Sequence, residues 1–172
     1  MIFEVIERDP KVKNKPNPSQ KMDLKQSINF NNVTFKYPTS LPEHKPVLID
    51  ASFKIQAGKA TAIVGPSGSG KSTIVQLVER FYDPRSGSID FDGQNLKDID
   101  LKTLRENIGY VSQEPVMIMG TIRDNLLYGN KDATEKECIE ALQQANAGFV
   151  KDQENGMDTF VGTAGIMNMS GG

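Results

Sequence analysis

The chain has 172 residues, 37% of them apolar and 24% charged, enough to bury one core but hardly two, and its net charge of −2 leaves no basic surplus for binding a polynucleotide, so nucleic acid is not an expected partner. One cysteine, Cys138, and one histidine, His44, exclude an internal disulfide and a Cys/His zinc site, and with them transition-metal chemistry. No apolar run approaches the roughly 20 residues of a transmembrane helix and no basic-then-apolar leader opens the chain, so the expectation is a soluble, intracellular polypeptide.

In chain order, residues 1–27 read as a linker: Met1 to Ile6 is an apolar cluster, and Asp9 to Lys25 carries Pro10, Pro16, Pro18 and several lysines. From Ile28 the pattern is extended, with Ile28, Phe30, Val33 and Phe35 on an irregular strand and Val47 to Ile55 on another, separated by the turn-rich Pro38 to Pro46. His44 falls in that loop and is expected to be exposed. Ala60 to Val64 predicts a strand running into a glycine-rich turn at Gly65, after which Ile74, Val75, Leu77, Val78 and Phe81 recur at helical spacing. A second unit follows, with a strand at Ser88 to Phe91, a turn at Asp92-Gly93, a small helix over Leu101 to Glu106 and a buried strand at Ile108 to Ser112. This alternation favours an α/β core. Beyond Gln113 the prediction is helical, over Thr121 to Leu127 and Thr134 to Asn146, and Thr134-Glu135-Lys136-Glu137 fits a capping box. Cys138 shares an apolar face with Ile139, Leu142 and Ala145 and reads as core.

The most specific signal is Gly65-Pro66-Ser67-Gly68-Ser69-Gly70-Lys71-Ser72, which satisfies G-x-x-x-x-G-K-[ST] between a predicted strand and a predicted helix. Glycines at these places let the backbone curl so that consecutive N–H groups point at phosphate oxygens, and the positive end of the following helix adds to the attraction. Lys71 reaches the β- and γ-phosphates in such a loop, and Ser72 offers its hydroxyl to Mg²⁺. The motif indicates a nucleoside triphosphate without specifying the enzyme.

Further segments narrow the class: Tyr37 upstream of the loop, Phe81-Tyr82-Asp83-Pro84-Arg85-Ser86-Gly87-Ser88-Ile89 after its helix, Ile108-Gly109-Tyr110-Val111-Ser112-Gln113-Glu114-Pro115, and Gly120-Thr121-Ile122-Arg123-Asp124-Asn125. From about Met1 to Gly172 the chain resembles the nucleotide-binding domain of ABC transporters, most closely that of multidrug-resistance-type exporters. The resemblance implies a P-loop NTPase (RecA-like) α/β core to about residue 115, with an N-terminal antiparallel β subdomain, a partial α-helical lobe from about 116 to 172, and an incomplete central sheet. It also implies that residues 1–27 link a membrane domain to this one, with Lys11, Lys13, Lys15, Lys21 and Lys25 suiting a cytosolic juxtamembrane position. A solvated tail accounts for the same lysines taken singly.

By the same resemblance Tyr37 stacks on adenine, a contact that tolerates any base and contributes about 1–3 kcal/mol by analogy with nucleic-acid platforms. Taken alone it reads as a strand-end packing residue. Gly65 to Thr73, including Pro66, Ser67, Ser69 and Thr73, form the ATP cradle, and Gln113 is the glutamine that coordinates Mg²⁺ or the attacking water. Met169-Ser170-Gly171-Gly172 looks like the opening of the family's signature, whose Ser170, Gly171 and Gly172 would bind the γ-phosphate held by the opposite domain of a head-to-tail dimer. Thr163 and Ala164 stand where exporters commonly have Glu-Arg. The family's Walker B aspartate, catalytic glutamate and switch histidine lie beyond this signature, so the isolated chain is expected to bind Mg-ATP weakly and not turn over. The leading expectation is the ATP-binding portion of an exporter, on the cytosolic face of a membrane, partnered by a second such domain and by transmembrane domains. Two alternatives are a non-hydrolytic module that pairs with a complete ABC domain, and a soluble ABC ATPase without membrane domains.

Overall fold

The computed structural model describes residues 7–114 and 116–162. The chain divides into two compact units after Gly109.

The first unit is built on strands β1 (Ser27–Phe35) and β2 (Leu48–Gln56), helix α1 (Lys71–Val78), strands β3 (Ser86–Phe91) and β4 (Gln94–Asn95), and helix α2 (Leu101–Glu106). The four strands form one antiparallel sheet in the order β2-β1-β3-β4. Phe30 lies opposite Phe53 and Ile89 on its two neighbours, and the Phe30 and Phe53 rings stack at 4.4 Å, the cross-strand aromatic pairing that stabilises a sheet face. A bulge interrupts β1 between Phe30 and Val33, where Asn32 adopts φ 50° and exchanges hydrogen bonds with the Ser52 hydroxyl (2.8 and 3.1 Å). The extra residue resets the alternation, so Phe30, Val33 and Phe35 are all buried despite their uneven spacing. They share a core with Leu48, Ile74, Leu77, Ile89, Phe91, Leu96, Ile99 and Leu104, which seats α1 and α2 on the sheet.

The segment before β1 is tied to this unit. Ser19 bridges Ile99 through backbone bonds to Asp98 (2.7 Å) and Asp100 (2.9 Å), Asn14 donates to the Asp100 carboxylate (2.6 Å), and Lys15 pairs with Asp98. Asp100 also caps α2, accepting from the N–H groups of Lys102 and Thr103, and these bonds hold its carboxyl below the ordinary aspartate value.

Asp92, at the β3–β4 turn, is a second clasp. Its carboxylate accepts from the backbone N–H of Lys25 (2.5 Å), Gln26 (3.0 Å) and Ser27 (2.7 Å), and these bonds, that from Lys25 foremost, hold its pKa below the ordinary value. A depressed native pKa contributes stability above the ordinary aspartate range of about 4 and loses it as pH falls through the native value. Asp92→Asn tolerates the same left-handed backbone (φ 48°) but has no charge, so urea unfolding should give a midpoint below that of the wild type at pH 7, with the gap narrowing below about pH 4. A gap constant from pH 7 to pH 3 would refute this role.

The second unit contains strand β5 (Gly120–Thr121), helices α3 (Ile122–Gly129) and α4 (Glu135–Gln144), and strand β6 (Phe160–Val161). β5 pairs with β6, and Ile122, Val150 and Val161 form a small core with Leu126, Leu142, Ala147 and Met157 around it. Thr121 and Thr134 each close a reciprocal capping box, with Asp124 and Glu137 respectively, which explains where both helices begin. Cys138 is buried and His44 exposed, as read from the sequence.

Two predicted strands do not form. Ala60 to Val64 and Ile108 to Ser112 belong to no sheet, and Val64 and Val111 are 87% and 90% exposed. Their apolar character suits a strand flanked on both edges, and no strand among the described residues offers its backbone to either. Among the described residues, no helix is long and apolar enough to cross a membrane.

Candidate functional site

The glycine-rich loop leads directly into α1. Gly70 occupies the N-cap position at φ 91°, a conformation that L side chains rarely adopt, and a Cβ there would press on the Val47 and Leu48 side chains at 3.0 Å. The glycine therefore serves both the turn and the close approach to the start of β2. Among the described residues no side chain caps α1, and no acidic residue occupies its first turn to compete with an external acceptor for its first N–H groups.

Lys71, the first residue of α1, curls back over the loop and donates from Nζ to the carbonyl oxygens of Gly65 (2.9 Å) and Pro66 (2.7 Å). Ser69 N–H bonds Pro66 O at 3.3 Å, closing the turn. Gly65 to Ser69 and Ser72 are exposed, whereas Thr73 is buried at 3%. Uncapped amides at a helix N-terminus, a lysine ammonium and an exposed hydroxyl one residue on form a donor set suited to a polyphosphate carrying a divalent cation.

Tyr37 follows β1 and reaches this helix: its hydroxyl lies 2.8 Å from Thr73 Oγ1 and 2.8 Å from Gln76 Oε1. Its ring meets Phe35 (4.9 Å, 80°) and Tyr82 (5.3 Å, 89°) edge to face. Tyr37, Gly65 to Ser72 and Thr73 thus belong to one unit, linked through α1. Gln76 was not anticipated from the sequence, although a polar residue three positions after Thr73 falls on the same helical face. Gln113 lies in the second unit, exposed on the irregular chain preceding β5. Thr163, Ala164 and Ser170 to Gly172 fall outside the described residues.

A G-x-x-x-x-G-K-S loop that opens a helix with a lysine at its first position, in a unit of mixed strands and helices, has the helical half of a phosphate-loop setting, although the strand expected before it does not form. The family profile described as ABC transporter matches residues 48–172, and the chain belongs to that family. It is 45% identical over 177 residues to ABC transporter B family member 1 of Dictyostelium discoideum, 42% over 173 residues to ABC transporter B family member 13 of Arabidopsis thaliana, and 41% over 172 residues to ABC multidrug transporter mdr2 of Aspergillus fumigatus. Each alignment takes in 99% of this chain but only 18%, 14% and 21% of the respective relative. Among solved structures, that of a bacterial Atm1-family ABC exporter with ATP bound superposes with a TM-score of 0.84 at 38% identity, covering 94% of this chain and 28% of that one. The resemblance to the nucleotide-binding domain of multidrug-type exporters and the expected fold class are borne out.

Proposed function

We propose that the chain is the ATP-binding portion of an ABC exporter and that it holds Mg-ATP through Gly65 to Thr73. The observation that carries this reading is α1 itself: an uncapped helix N-terminus with Lys71 at its first position and the curled loop in front of it. Lys71 would exchange its loop carbonyls for the β- and γ-phosphates, and Ser72 would offer its hydroxyl to Mg²⁺, which supplies charge neutralisation to the phosphates when bound; for Gln113, a role toward Mg²⁺ or the attacking water rests on the family resemblance alone. Tyr37 would carry the adenine. In the complete protein the portion would sit on the cytosolic face of a membrane, pair head to tail with a second such domain through Ser170, Gly171 and Gly172, and pass the closing of that dimer to transmembrane domains. The likeness to the bacterial Atm1-family exporter, solved with ATP bound, supports this reading.

The isolated chain binds weakly in this proposal, because the loop is anchored at its helical end while Ala60 to Val64 before it belongs to no sheet. It does not turn over in this proposal, since among the described residues no carboxylate or imidazole is hydrogen-bonded to the loop. Isothermal titration with Mg-ATP should give saturable binding that falls about 10- to 100-fold in Lys71→Ala, the loss expected for charge-assisted hydrogen bonds, together with no phosphate release above the Lys71→Ala background. Equal affinity of the two proteins for ATP would defeat the assignment.

A further inference from the structure

Gln76 lies outside the phosphate-loop motif, yet it holds the one polar atom of the Tyr37 side chain. The amide oxygen of Gln76 only accepts, so the phenol O–H donates to it at 2.8 Å, and the phenol oxygen in turn receives the Thr73 hydroxyl at 2.8 Å. Thr73 and Gln76 stand three residues apart on α1, the helix whose first residue is Lys71. With Phe35 and Tyr82 meeting the ring edge to face, Tyr37 is fixed by packing around its body and by α1 at its tip. The strand end that bears the ring and the helix that opens the phosphate cradle are thereby joined by two short bonds.

Resting on the nucleotide reading above, we propose that Gln76 is a positioning residue: by anchoring the Tyr37 hydroxyl it sets the base-stacking ring at a fixed place relative to the phosphate cradle. A ring held before the ligand arrives loses little freedom when the base stacks on it, whereas a released ring must be ordered at the expense of affinity. The effect therefore concerns the base and not the phosphates. Gln76→Leu keeps the approximate size of the side chain and its helix propensity while deleting the acceptor.

The test is calorimetric titration of the chain with Mg-ATP and, separately, with inorganic triphosphate and Mg²⁺. Gln76→Leu should weaken ATP binding about fivefold, the scale of one neutral hydrogen bond, and leave triphosphate binding within about twofold of the wild type. Tyr37→Phe, which keeps the ring and removes the hydroxyl, should reproduce that loss, and the double variant should lose no more than either single one. An equal loss for ATP and triphosphate in Gln76→Leu would mean that the residue only stabilises α1, and unchanged ATP affinity would mean that the brace does nothing; either overturns the proposal while leaving the nucleotide reading intact. A wild-type chain that binds neither ligand would overturn both.

Discussion

Replacing Gly87 by alanine is expected to cost the first unit about 3 kcal/mol or more. Gly87, in β3, sits at φ 82°, where it faces the bulge of β1, and a Cβ there would lie 2.3 Å from Asn32 O, 2.4 Å from Asn31 O and 2.6 Å from the Asn32 carbonyl carbon. These are backbone atoms, so no rotamer change relieves the contact. Either β3 withdraws, breaking the pairing of Asn31 with Ser88, or the bulge flattens and returns Val33 to the wrong face of β1. The measurement is urea unfolding of Gly87→Ala beside Ser86→Ala, an exposed neighbour on the same strand whose loss should stay within about 0.5 kcal/mol. Similar midpoints for the two variants would show that β1 and β3 do not approach as described.

A comparable loss, about 3 kcal/mol, is expected from Arg80→Met, for a different physical reason. Arg80 follows α1 in the left-handed region at φ 52° and is 1% exposed, an unusual place for a guanidinium. Its nitrogens donate to three places at once: Nη2 to Lys13 O (2.9 Å), Nη1 to Ile99 O (3.4 Å) and Nε to Asp83 (3.2 Å). Arg105 completes the junction by donating to the Arg80 carbonyl at 3.1 Å. Methionine keeps much of the volume but leaves two carbonyls and a carboxylate without their donor, and unmet polar groups of this kind cost more than the bond itself contributes. Arg80→Lys should recover only part of the stability, since an ammonium on a flexible stem does not reproduce the planar fork. Amide hydrogen exchange locates the effect: Arg80→Met should accelerate exchange at Ser19, whose N–H bonds Asp98, ahead of exchange in β1. A variant as stable as the wild type, or one that loosens β1 before residues 13–20, would contradict this account of Arg80.

Gly87 and Arg80 also mark where sequence reading stopped. Gly87 lies in a stretch used to recognise the family, and nothing local announces that its missing Cβ makes room for the backbone of residues 31 and 32, far earlier in the chain. Arg80 drew no notice in the sequence, because beside nearby Asp83 its partners are the backbone carbonyls of Lys13 and Ile99, which are distant in sequence and which any residue could provide. Gln76 escaped notice for the same reason: what distinguishes it is the tip of Tyr37.

What local chemistry governs was legible. The loop and its helix follow from glycines, a lysine and an apolar face at helical spacing; α2 falls at Leu101–Glu106 as predicted; and both helices of the second unit start where Thr121 and Thr134 can cap them. The phosphate-loop pattern could be picked out because its residue types fall within one short window, whereas Tyr37 and Gln113 entered only through the family resemblance. Tertiary structure alone decided the rest. Ala60 to Val64 and Ile108 to Ser112 have the composition of core strands, but a strand exists only when another chain segment accepts and donates its hydrogen bonds, and none of the described residues does so for them. The bulge that turns Phe30, Val33 and Phe35 to one core, the burial of Arg80 and the bracing of Tyr37 by Gln76 likewise depend on partners brought together from far along the chain, and a reading confined to neighbours in sequence has no access to them.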